Sequence, residues 1–205
     1  MIRLAWADVE STGLDPYTHK IVEIAVIAET EDGGIIPFHR FIRHDVYPDG
    51  FQEAFDISGI TIEKLEKDGV TARQAYLDFV AWLKQNFPVY NRNIHIMLAG
   101  HNILFDCKFI EMWMRDNYLT ENDLTYQQVF TRPVIDTMSV YAEGLLQGKV
   151  PETHSFRLQT LCNKMGVKVE KFHSATSDAV ASMNLYRKVW AKLQHKSEQL
   201  NLLGE

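Results

Sequence analysis

The sequence predicts one α/β domain: a β-sheet of mixed direction, its first three strands antiparallel, flanked by α-helices. Three observations carry that prediction. The chain has 205 residues with 46% hydrophobic and 23% charged content, the make-up of a globular domain large enough for one substantial core. Residues 2–43 contain three runs with the periodicity or apolar continuity of strands. From residue 61 onward helical patterning dominates and is broken by one short apolar run, so strands come first and helices are mixed in later.

Residues 2–10 read as the first strand, with Ile2, Leu4, Trp6, Asp8 and Glu10 on one face by period two. Ser11 to Pro16 breaks it. Residues 20–29 form a second, mostly buried strand, Asp32-Gly33-Gly34 is a turn, and residues 35–43 return as a third, giving an antiparallel meander. A stretch rich in Pro, Gly and Asp is expected to be loop through residue 59. Helices are expected over 61–67 and 72–86, a short buried strand over 94–99, and a helix from Asn102. Residues 120–130 fit no single pattern. Asp136, after Val134-Ile135, reads as the N-cap of a helix over 137–147. Helices near 155–165 and 176–196 complete the chain, and no repeat, linker or low-complexity segment divides residues 1–205.

Composition excludes several classes. The longest apolar runs are too short to span a bilayer, and the N-terminus lacks the basic region of a signal peptide. Cys107 and Cys162 lack metal-type spacing and read as reduced packing residues, which fits a cytoplasmic setting. A net charge of −6 disfavours coating of long duplexes. Two bound divalent cations would bring that sum to about −2, so a protein gripping a few nucleotides remains in view.

The chemistry lies in four misplaced carboxylates. On a helical wheel at about 100° per residue, Asp178 falls among Ala179, Met183, Leu185, Tyr186, Val189, Trp190 and Leu193, while Arg187 and Lys188 point elsewhere. Asp106 likewise falls among Ile103, Phe109, Ile110, Trp113 and Met114, with Lys108, Glu111 and Arg115 opposite. Asp8 and Glu10 share a strand face with Leu4 and Trp6. Any one of these acids alone could be a hydrogen-bonded structural residue. Four turned inward together would raise one another's pKa severely unless cations were present. Oxygen donors suit Mg²⁺ or Mn²⁺, and the shortage of nearby Cys and His argues against structural zinc. Two such ions about 3.5–4 Å apart are the arrangement of two-metal phosphoryl chemistry. His173 precedes the last helix, with Thr176 or Ser177 as the expected cap, and beside such a site it could serve as a general base.

These residues resemble a known family. Asp8-Val-Glu-Ser-Thr-Gly-Leu14, His101-Asn-Ile-Leu-Phe-Asp106 and His173-Ser-Ala-Thr-Ser-Asp-Ala179 are similar, in order and separation, to the three motifs of the DnaQ-like (DEDD) 3′–5′ exonucleases of the histidine-containing subclass. Ile57 to Thr61 and Ser155 to Gly166 add weaker matches, and the likeness runs over roughly residues 3–190. It implies a ribonuclease H-like fold and release of 5′-mononucleotides from the 3′ end of single-stranded DNA or RNA. By motif position Asp8, Glu10, Asp106 and Asp178 would hold the two metals, and His173 would deprotonate the attacking water. Thr12, Gly13 and Leu14 would hold the terminal nucleotide, Gly13 by permitting close backbone approach and Leu14 by offering an apolar surface to a base. Asn102 and Phe105 either shape the same pocket or serve simply as helix cap and core. Many relatives carry a histidine where Ser58 stands, so contacts from that loop are expected to differ.

Other readings share the residues. One is an RNA processor or degrader of short oligoribonucleotides, since 2′-hydroxyl recognition needs only one or two backbone contacts. A second is a proofreading partner of a polymerase, which the short tail after Asp178 disfavours relative to a free-standing enzyme. A non-catalytic nucleic-acid-binding domain is disfavoured because no ligand of the constellation is missing. Residues 44–56 and 87–95 are expected to modulate access to the site.

Overall fold

A computed structural model describes residues 2–30, 33–87 and 95–194. Its six strands are β1 (Ile2–Ser11), β2 (Ile21–Glu29), β3 (Ile35–Arg43), β4 (Val70–Thr71), β5 (His95–Gly100) and β6 (Ile135–Asp136). They form one sheet in the order β4-β3-β2-β1-β5-β6. β1, β2 and β3 are the antiparallel meander, and β5 and β6 run parallel to β1. The mixed direction expected from the sequence is therefore present.

Eight helices among the described residues cover the sheet: α1 (Phe51–Ser58), α2 (Ile62–Asp68), α3 (Ala72–Asn86), α4 (Ile103–Asp116), α5 (Tyr126–Val129), α6 (Thr137–Leu146), α7 (Leu158–Met165) and α8 (Ala175–Gln194). The pleat of β1 decides what each face carries. Ala5, Ala7 and Val9 pack with α3 and α4 in the largest core cluster, beside Phe79, Leu83, Ile110 and Met114. Trp6, on the opposite face, packs with Ala99, Ala179 and Met183. Complete burial of large side chains such as Trp6 and Phe79 contributes roughly 1.5–3 kcal/mol each. The same parity sends Asp8 and Glu10 to the α8 face. A third cluster, built on Tyr141, Leu161, Cys162, Leu185 and Val189, fastens α6 and α7 to α8.

Several expectations need correction. The stretch through residue 59 is not all loop, because α1 occupies Phe51–Ser58. Its start at Gly50 has no side-chain cap. Tertiary packing sustains it instead: Phe51 and Phe55 pack edge to face, both against Tyr47, and Phe55 seats against Val22, Ile60 and Leu65. Ser58 ends this helix, buried, with its hydroxyl accepting from Ile60 N at 3.3 Å. β4 went unforeseen because two residues carry no periodicity. α7 starts at Leu158, three residues later than the pattern indicated. α8 begins at Ala175, which places Thr176 and Ser177 in its first turn and not at its cap. Trp190 is 46% exposed and stacks on Tyr186, so the apolar arc of α8 outruns the surface that covers it. The 120–130 segment contains the four-residue α5, with a complete Thr125–Gln128 capping box. Most of the 87–95 stretch and the expected end of the last helix at 195–196 lie outside the described residues.

Candidate active site

The site forms where β1 outruns its parallel neighbour. β5 pairs with β1 only as far as Trp6 and ends at Gly100, after which the chain turns into α4. A Cβ on Gly100 would meet Ala7 O at 2.7 Å, so this turn needs a residue without a side chain. The end of β1 then lies beside the first turn of α4, in the crevice that open α/β sheets use for ligands. Asp106 occupies the place that β5 vacates: its Oδ1 accepts from Val9 N at 2.9 Å. The carboxylate that the wheel turned inward thus completes the edge of the sheet.

On the α8 face, Asp8, Glu10 and Asp178 converge. One carboxylate oxygen from each lies within 4.8 Å of the others. Asp106 is not a member of that cluster, yet its charge reaches both Asp8 and Glu10. The β1–β2 register shifts between Glu10 and Ser11, an irregularity that ends regular pairing just past the acids. Asp178 Oδ2 accepts from His173 N at 3.1 Å, whereas buried Oδ1 has no hydrogen-bond partner among the described residues. His173 itself is exposed, in the left-handed conformation with φ 65°.

The electrostatics follow from this crowding. Burial, then the charges of Asp106, Asp178, Glu10 and Glu23, push Asp8 well above the ordinary carboxylate range. Burial and the neighbouring Glu23 and Asp178 push Glu10 up to about 7. Burial also raises Asp106, against the opposing hydrogen bond from Val9 N. It raises Asp178 too, against the opposing influence of His173. The donor set is all carboxylate, one oxygen is orphaned, and the accumulated charge calls for cations: hard divalent ions fit it.

The remaining residues of the sequence reading fall on two elements. Thr12 is fully buried, its N donates to Lys20 O, and its hydroxyl accepts from Lys20 N at 2.9 Å and contacts His19 Nδ1 at 3.1 Å. Its hydrogen-bonding groups hold the turn from which Leu14 projects. Gly13 is needed because a Cβ there would strike the His19 ring at 2.4 Å; the close approach it permits is to His19. Leu14 projects from this turn, 83% exposed. Asn102 stands at the N-cap position of α4 with φ 58°, but its side chain makes no cap bond and is left exposed. Its N–H donates to Asp136 Oδ1, which also caps α6 through Met138 N, so Asp136 is the cap that the sequence indicated. Phe105 is half-buried against Phe109. His101 is pinned between Thr137 Oγ1 and Phe156 O, both at 2.7 Å, and burial lowers its pKa; it fixes the start of α4.

Glu23 was missed. It is 2% exposed, faces Glu10 across the β1–β2 ladder, and bonds His39 Nε2 at 2.8 Å. A signal was available: it is the single charged residue in the eight-residue buried run of β2, the same misplacement that marked the other acids.

An α/β sheet with an acidic, cation-demanding crevice at the end of its first strand defines a class, the DnaQ-like, ribonuclease H-like hydrolytic domains. The chain belongs to the RNase_T exonuclease family, whose model matches residues 5–186. It is 26% identical over 180 residues to a PolC-type DNA polymerase III of Thermotoga petrophila, covering 87% of this chain and 11% of that protein. It is 23% identical over 202 residues to an oligoribonuclease of Buchnera aphidicola, covering 95% of this chain and 96% of that one. The chain therefore spans about a tenth of the polymerase relatives and nearly all of the oligoribonuclease. Its fold is shared with exonuclease I of Methylocaldum szegediense, at TM-score 0.72 and 22% identity over 96% of this chain and 42% of that one. It is shared also with E. coli exonuclease I solved with a dT13 oligonucleotide, at TM-score 0.71 and 20% identity over 94% and 41%. No helix among the described residues is long and apolar enough to cross a membrane.

Proposed function

We propose that this chain is a 3′–5′ exonuclease that removes 5′-mononucleotides from single-stranded DNA or RNA, using Mg²⁺ or Mn²⁺. One observation carries the reading: Asp8, Glu10 and Asp178 present converging oxygens, with Asp106 behind them and Asp178 Oδ1 left without a partner among the described residues. Asp8, Glu10 and Asp178 would hold the ions, with Asp106 supporting them from α4. Bound there, divalent ions supply charge neutralisation and Lewis acidity toward a phosphodiester.

The protein's own groups account for the rest. Leu14, exposed on its turn, would offer its side chain to the terminal base, and Asn102 and Phe105, at the start of α4, would shape the same pocket. A ring nitrogen of exposed His173 accepts the proton of the attacking water. His173 is exposed in a left-handed turn, and its backbone N–H donates to Asp178, which supports this role. The two buried thiols, pushed by burial up to about 11 and about 12 for Cys107 and Cys162, are protonated packing groups and suit a reducing cytoplasm.

A second reading, degradation of short oligoribonucleotides, is favoured by the near-complete length match to an oligoribonuclease. One assay tests both. Single-stranded DNA, single-stranded RNA, an RNA dinucleotide and blunt duplex, each 5′-labelled, are incubated with Mg²⁺ or Mn²⁺. A one-nucleotide ladder on a single strand is expected. Preference for the dinucleotide would select the second reading, and no shortening of any substrate would overturn both.

A further inference from the structure

We infer that Glu23 is a positioning residue that holds the His173 turn through Ser174, its own carboxylate being fixed by His39; this rests on His173 acting at the proposed site. Glu23 is 2% exposed and lies beside three other acids, a location in which a carboxylate needs hydrogen-bond partners. It has two. His39 Nε2 donates to Oε1 at 2.8 Å, and Ser174 Oγ donates to the same oxygen at 3.4 Å. The His39 ring is set edge-on against Phe41, at 4.9 Å between centroids, which fixes the direction of its N–H. A continuous brace therefore runs from β3 through β2 to the residue that follows His173.

That turn needs a brace. His173 is a non-glycine residue at φ 65°, a conformation retained only where surroundings enforce it. Two clamps enforce it from α8: His173 N to Asp178 Oδ2 at 3.1 Å, and Asp178 N to Ser174 O at 2.9 Å. The first draws on a carboxylate that belongs to the acidic cluster and must share its electrons with any bound cation. Glu23 contributes no oxygen to that cluster among the described residues. Its hold on Ser174 therefore uses no oxygen that the cluster would give to a cation. The division of labour follows: Asp178 serves both cation and turn, and Glu23 serves the turn alone.

The test compares Glu23→Gln, Glu23→Ala and Ser174→Ala. Gln keeps an oxygen that accepts from both Ser174 and His39, so kcat should stay within about threefold of the parent. Ala removes the brace, and kcat should fall by about 30-fold with KM within about twofold, since misplacement of a reacting group acts on turnover. Ser174→Ala should lower kcat by about tenfold. In metal-free protein, amide hydrogen exchange over residues 173–178 should speed up in both alanine variants and not in Glu23→Gln. Mn²⁺ affinity measured by calorimetry should be unchanged in Ser174→Ala. If Glu23→Gln and Glu23→Ala weaken Mn²⁺ binding alike, and saturating Mn²⁺ restores both, Glu23 acts on the ions and the inference fails. It fails equally if Ser174→Ala alters neither exchange nor kcat, an outcome that stands even if Glu23→Ala does not fold. Should the parent protein degrade no nucleic acid, the functional reading falls, while the exchange measurement still decides the brace.

Discussion

Asp106 and Asp123 flank opposite ends of α4 and are equally buried, at 4% and 5% exposure, yet their environments drive them in opposite directions. Burial works against the charge of Asp123, but Arg73 and the N–H groups of Leu119 and Thr120 outweigh it and hold that carboxyl down at about 2. Asp106 receives a hydrogen bond from Val9 N and meets further acids, and it rises well above the ordinary range. A structural acid is supplied with its cation by the chain. At the other end of the same helix the acids cluster without one, and the compensating charge must come from solution.

The largest contrast lies in what removal does. Asp8→Ala or Asp178→Asn should reduce nucleotide release by three or more orders of magnitude, because ions worth several kcal/mol to the transition state are lost. The Tm of the metal-free protein should hold or rise, since a repelled charge has gone. Asp123→Ala should do the reverse: it removes the ion-pair partner of half-buried Arg73 and the acceptor of Leu119 N and Thr120 N, and it lowers Tm by about 5 °C or more, with kcat per folded molecule unchanged. Scanning calorimetry and a single-turnover assay separate the two, and a destabilised Asp178→Asn that still releases nucleotides would erase the distinction. Next comes His173→Ala, expected to cost 10²–10⁴-fold in kcat while sparing Mn²⁺ affinity, as removal of a general base does. A pH–rate profile that keeps its acidic limb without His173 would count against that role.

Acidity sharpens the comparison further. Groups whose pKa is higher in the folded state bind more protons there, so their contribution to stability fades as pH rises through that value. For Glu10 the window runs from 4.5 to about 7 and amounts to ~3 kcal/mol, and Asp8, Asp106 and Asp178 act in the same direction. Asp123, shifted downward, gives stability present above its ordinary 3.8 and lost only as pH falls toward about 2. Buried His44 and His101, whose pKa values burial lowers, act the other way and lose stability in acid; the four acids should outweigh them, so the Tm of metal-free protein in a chelator should fall between pH 5 and 8. Saturating Mn²⁺ should abolish that fall, because the ions bind the deprotonated form. A Tm that climbs with pH in the chelator would contradict the placement of these acids.

Much of this was legible in the sequence because burial has a period. Strand parity placed Asp8 and Glu10 with Trp6, and the wheel placed Asp106 and Asp178 inward. Periodicity could not report which acids share one cluster, since that depends on β5 stopping at Gly100 and leaving Asp106 to bond Val9 N. It could not show α1, whose support is the edge-on packing of Tyr47 and contact with Val22 of a distant strand. Nor could it show that Thr12 is consumed by Lys20 and His19, because the reverse turn between β1 and β2 has no period. Glu23 differs from these. Its misplacement in an apolar run was visible, and only its partners His39 and Ser174, far away in the chain, required the fold.

Leu14 gives the smallest effect and inverts the logic of the buried acids. It is an apolar side chain in water, 83% exposed, on a turn whose rigidity comes from Thr12, Gly13 and His19. Burial there contributes little to stability, so Leu14→Ala should leave Tm within about 1–2 °C. If the side chain lies against the terminal base, its loss removes roughly 1 kcal/mol of contact, and KM should rise about fivefold with kcat little changed. Thr12→Val should lower Tm, because Lys20 N and His19 each lose the buried Thr12 hydroxyl as a partner. Within three residues the chain would then repeat the contrast seen along α4, between a group satisfied by its own fold and one held out for a ligand. An unchanged KM in Leu14→Ala would place the terminal base elsewhere and leave the exposed leucine as ordinary surface.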